Sequence, residues 1–60
     1  MKIEYIKLSN THTEAFADDK KVADIQKKSL GYEIWFSDGD VIGYPTMAEV
    51  KHEIEFRFNS

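Results

Sequence analysis

The residues with the most obvious capacity for chemistry are two histidines, His12 and His52, and two carboxylate pairs, Asp18-Asp19 and Asp38/Asp40. Neither histidine has a partner at a metal-binding spacing such as H-x-x-x-H. Paired carboxylates can divide a proton between them and act as acid and base. Both pairs here stand where a turn wants Asp to hydrogen-bond its own backbone, so turn formation is their expected role. No Gly-rich phosphate loop and no G-x-S-x-G elbow is present. With 60 residues, the chain is expected to lack room for a ligand pocket of ~300 Å³ beside its core. The expectation is a protein that is not an enzyme and holds no metal and no cofactor.

Aromatic residues and lysines remain as the chemistry to be placed. Trp35 and Tyr44, with Glu33 and Ile42, form one candidate set for contacting a protein partner. Trp and Tyr are enriched at interfaces because they bury large area with little entropy loss and keep a polar tip. Lys20, Lys21, Lys27 and Lys28 form the second set, a possible phosphate-contacting surface for nucleic acid. The net charge of −3 weighs against that second reading, since phosphate neutralisation wants a basic surface. A solvated rim of lysines beside turns is the alternative for these four.

The elements that must position these residues are only partly determined. One domain spans residues 1–60. A chain this short supports a core of only about 3–5 kcal/mol, and without cysteine it has neither disulfides nor thiolate zinc sites. "KIEYIKL" (2–8) carries bulk on both parities and reads as a strand buried on both sides. "SNTHT" (9–13) is a polar loop. Residues 14–28 read either as a helix, capped by Thr11 with Glu14 and closed by Gly31, or as a hairpin. The hairpin, with strand 13–17, turn "DDKK" and strand 21–27, is favoured because Asp19 and Gln26 interrupt the helical stripe.

The stretch 31–44 is a hairpin around Asp38-Gly39, a strong signal for a type I′ turn. That turn would set Phe36 opposite Val41, Trp35 opposite Ile42, Ile34 opposite Gly43 and Glu33 opposite Tyr44. Parity then places Tyr32, Ile34 and Phe36 on one face and Glu33, Trp35, Ile42 and Tyr44 on the other. After Pro45, Thr46 and Glu49 make a capping box, and Met47, Val50, Ile54 and Phe58 share a helical stripe. Alternation from Ala48 to Phe58 competes as a strand signal. The reading adopted is a helix over 47–55 with "EFRFNS" leaving as extended chain.

The expected fold class is α+β: a small antiparallel sheet, a meander of three to five strands, packed against one C-terminal helix. A three-stranded sheet backed by such a helix resembles the plan of the AP2-type and integrase arm-binding DNA domains. The resemblance lies in the architecture, and it implies nucleic-acid binding through the sheet. Those domains carry several arginines on their strands, whereas Arg57 is the sole arginine here and lies in the tail.

The leading expectation is a small protein that binds, and modulates or inhibits, a protein partner through an aromatic sheet face. Self-association as a homodimer satisfies the same features. Absence of a signal peptide and of a membrane-spanning run points to a cytoplasmic protein with no membrane partner. Size and the lack of catalytic motifs fit the small modulators encoded by phages and mobile elements.

Overall fold

The computed structural model describes residues 2–59. Strands β1 (Ile3–Lys7), β2 (His12–Ala17), β3 (Lys20–Lys28), β4 (Gly31–Phe36) and β5 (Val41–Tyr44) precede one helix, α1 (Met47–Asn59). Each strand pairs antiparallel with the next, giving one five-stranded meander in the order β1-β2-β3-β4-β5. The helix packs on one face of it. That is two strands more than the three-stranded DNA-binding plan. No helix among the described residues is long and apolar enough to cross a membrane.

Turn chemistry explains the meander. Residues 14–28 form the hairpin, not the helix. Asp18 and Asp19 both take positive φ, 50° and 69°, as a two-residue type I′ turn requires. Asp tolerates this region better than most side chains, and Asp18 Oδ1 also accepts the Lys2 N–H at 2.8 Å. The Asp38-Gly39 loop, by contrast, is not a two-residue turn. The Phe36 N–H donates to the Asp40 carbonyl at 2.8 Å and the Gly39 N–H to the Phe36 carbonyl at 3.0 Å, so residues 37–39 make a longer loop. Gly39 at φ 104° supplies the left-handed position such a loop needs.

One extra loop residue shifts the pairing by one. Tyr32 lies opposite Tyr44, Glu33 opposite Gly43, Ile34 opposite Ile42 and Trp35 opposite Val41. A one-residue slip turns every side chain of β5 over. Ile42 and Tyr44 therefore sit on the helix side, and Val41 takes the expected place of Ile42 beside Trp35.

The core is Ala15, Ala17, Val22, Ala23, Ile25, Ile34 and Phe36 from the sheet, closed by Val50 and Ile54 from α1. A bulge between Ala15 and Phe16 lets β3 bury two successive residues, Val22 and Ala23. β1 is an edge strand, not one buried on both sides. Ile3 and Tyr5 pack against the core, while Ile6 remains 50% exposed. The Tyr5 hydroxyl is buried without a hydrogen-bond partner among the described residues. Burial, reinforced by the nearby Glu55 carboxylate, pushes its pKa up to about 12.

α1 begins where the capping box places it. Thr46 Oγ1 accepts the Glu49 N–H at 3.3 Å and donates to Glu49 Oε1 at 2.9 Å. The helix does not stop at residue 55 but runs through "EFRFN". Its last turn is held by contacts that extended chain would forgo. Phe58 meets Phe36 at 6.3 Å between ring centroids, and the Arg57 guanidinium lies 4.0 Å from the centre of the Phe36 ring. Arg57 also donates to Glu53 at 2.8 Å and to Asp40 at 3.0 Å, while the Tyr44 hydroxyl donates to Glu53 at 2.8 Å. Hydrogen bonds from Arg57 and Tyr44 hold the Glu53 carboxyl below its ordinary range, and the Glu53 carboxylate in turn raises the Tyr44 phenol.

Candidate interaction face

The face that α1 leaves open is built from alternate residues of all five strands. One cross-strand row runs Ile6, Glu14, Asp24, Trp35, Val41, and the next runs His12, Gln26, Glu33, Gly43. The apolar members stand at the two margins. Trp35 and Val41 are 47% and 48% exposed on one side; Ile6 and, just past the end of β1, Leu8 are about half exposed on the other. Each margin thus carries a pair of half-exposed apolar side chains, with polar residues between them.

Trp35 is exposed yet fixed. Its indole Nε1–H donates to Glu33 Oε1 at 3.0 Å, two residues along the same strand. Of the four residues expected to form the partner surface, Glu33 and Trp35 lie together on this face. Ile42 and Tyr44 do not: the register of β5 turns them to the helix. Val41, expected on the helix side, lies beside Trp35 instead.

The centre of the face is polar. Lys21 Nζ stands 2.9 Å from Glu14 Oε2 and 2.8 Å from Asp24 Oδ1, and His12 Nε2 is 2.8 Å from the same Asp24 oxygen. Partial burial of Asp24 opposes its ionisation, but the hydrogen bonds from Lys21 and His12 prevail and hold the carboxyl below its ordinary range. The same carboxylates, Asp24 foremost, raise the Lys21 ammonium. His12, Glu14 and Asp24 offer ligand atoms within 4.8 Å of one another, which makes them the residues best placed for a metal. The Lys21 ammonium already stands between both carboxylates and offsets part of their charge. The group is an ion-pair network that ties β2 to β3. Its sequence signal was His12-x-Glu14, two residues that a strand sends to the same face.

The four lysines considered for nucleic acid do not assemble into one basic surface. Lys21 is committed to Glu14 and Asp24, and Lys28 lies on the same face, 3.9 Å from Glu33. Lys20 and Lys27 pair with Ala17 and Tyr32 and so lie on the helix side. An open groove of about 340 Å³ runs along Leu30, Tyr32, Tyr44 and Pro45. The groove is a shallow depression formed at the surface and takes nothing from the core.

No protein-family model, characterised protein or solved structure matches the chain.

Proposed function

We propose that the protein is a non-enzymatic binding module that takes a protein partner on the open face of its sheet, with Trp35 as the anchor. The observation that carries this reading is that Trp35, 47% exposed, donates its indole N–H to Glu33 on the same strand, which favours one orientation of the ring. An aromatic group ordered before binding loses little further freedom on contact, so its buried area is converted efficiently to affinity. Val41 extends the apolar contact. The ion-pair network beside it presents oriented charges that favour one docking register over others. Division of the lysines between the two faces supports a protein partner over nucleic acid. Modulation of that partner by occupancy, the role expected of a small phage or mobile-element product, is the corresponding biological reading.

A photo-crosslinking side chain at position 41 tests the proposal in cells that express the protein. Adduct formation with one protein, lost when Trp35→Ala is added while the fold persists, is the expected result. Sedimentation of the purified chain shows whether that protein is a second copy. An adduct unaffected by Trp35→Ala, or one formed equally well from Ala48 on α1, overturns the assignment of the face.

A further inference from the structure

The other side of the sheet holds a concave site with a different chemistry. Lys7 pairs with Thr13, Thr13 with Ile25, and Lys27 with Tyr32, so these residues share the helix side at the end of the sheet next to the β1–β2 loop. Together with Asn10 they line a cavity of about 200 Å³, to which α1 contributes only its first residue, Met47. Ile25, buried to 1% exposure, and Met47 give the cavity its apolar surface.

The polar lining consists of donors. Lys7 and Lys27 make no ion pair among the described residues, unlike Lys2, Lys21 and Lys28. No carboxylate lines the cavity, although the chain has eleven acidic residues against eight basic ones. With two lysines and no carboxylate in its lining, the cavity favours an anion over a cation. The N-terminal end of a helix beside them adds partial positive charge of the same sign.

The geometry points to a binding site for a small phosphate monoester, held by Lys7 and Lys27 with Thr13, Asn10 and Tyr32 as further donors. A monoester presents three acceptor oxygens and a charge of about −1.5 to −2, which suits donors supplied by four strands and a loop. A carboxylate offers two oxygens in one plane and answers fewer of them. Since a water takes about 30 Å³ of liquid volume, a cavity of about 200 Å³ accepts the phosphoryl group and a compact organic substituent against Ile25 and Met47.

The test is an amide-resolved NMR titration with phenyl phosphate, inorganic phosphate and an oligonucleotide lacking terminal phosphate, at constant ionic strength. Saturable shifts confined to the amides around Lys7, Thr13, Lys27, Tyr32 and Met47 are expected with both phosphates, phenyl phosphate binding the tighter. In the Lys7→Gln/Lys27→Gln variant the binding should weaken at least tenfold with no change in melting temperature, because both lysines are exposed. Shifts that spread over all the lysines without saturating, or binding unchanged in the variant, overturn the site. Tighter binding of the oligonucleotide at the same amides overturns the assignment to a monoester.

Discussion

Adjacent residues of β4 live in different environments. Ile34 and Phe36 are 0% and 6% exposed beneath α1, while Trp35 between them is 47% exposed on the far side. On the closed face, position is enforced by packing: alanines on β2 and β3 leave room for Val50 and Ile54, and Phe58 and Arg57 cover Phe36. On the open face, position is enforced by hydrogen bonds and ion pairs between neighbouring side chains, with little burial. The packed core and the proposed partner surface thus lie on opposite faces of one sheet. Substitutions on the closed face should unfold the protein, and those on the open face should leave it folded but alter what it binds.

Removal of a buried side chain should have the largest effect. Ile34→Ala is expected to cost about 2–5 kcal/mol, enough to abolish cooperative unfolding in a chain whose core supplies about 3–5 kcal/mol. A native-like urea transition for this variant would show that the closed face is not the core.

Backbone positions come next, and two glycines of positive φ differ in the space around them. A Cβ on Gly31 would stand 2.5 Å from the Tyr44 carbonyl oxygen and 2.9 Å from Pro45 Cα, where β5 turns into the helix. A Cβ on Gly39 meets nothing within 4 Å, and only its φ of +104° resists substitution. Gly31→Ala should cost about 1–3 kcal/mol through overpacking, added to the strain of its own φ of +148°, and Gly39→Ala about 1 kcal/mol through strain alone. Equal melting temperatures for the two would contradict the tight approach of β4 to the Tyr44–Pro45 corner.

Thr46→Ala should cost about 1 kcal/mol by removing the cap of α1, read as a lowered urea midpoint with unchanged slope. The acid response should be smaller again, since the groups concerned are partly solvated. Glu53 and Asp24 have folded pKa values below their ordinary 4.5 and 3.8. Each therefore adds stability that is present above its ordinary pKa and fades as pH falls through the lowered one. Stability should decline as pH drops below about 4.5, and Glu53→Gln should flatten that decline. An unchanged acid profile in Glu53→Gln would remove the helix-to-hairpin network from the account.

How much of this was legible depended on the range of the interaction involved. The parity of β4 could be read directly, because a strand's side chains alternate whatever surrounds them, and Trp35 was placed correctly opposite Ile34 and Phe36. The parity of β5 could not. Asp38-Gly39 serves a two-residue and a three-residue loop equally well, and the choice between them decides whether Ile42 and Tyr44 face solvent or helix. Gly43, expected opposite Ile34, lies opposite Glu33 on the open face. The end of α1 was hidden for a different reason: alternation in "EIEFRF" imitates a strand, and only Phe36 and Asp40, distant in sequence, hold Arg57 and Phe58 in the helix. Likewise the His12, Glu14, Lys21 and Asp24 network depends on a bulged register between β2 and β3 that no local pattern encodes.

The division between a structural face and a binding face is tested most directly by comparing urea unfolding of Trp35→Ala and Phe36→Ala with the parent chain, followed by circular dichroism. Phe36→Ala should lose about 3–5 kcal/mol as a buried aromatic does, leaving little or no folded baseline. Trp35→Ala should stay within about 0.5 kcal/mol of the parent, as surface substitutions usually do. If Trp35→Ala unfolds the chain while Phe36→Ala is tolerated, the two faces have been assigned in reverse and the proposed binding surface is the core.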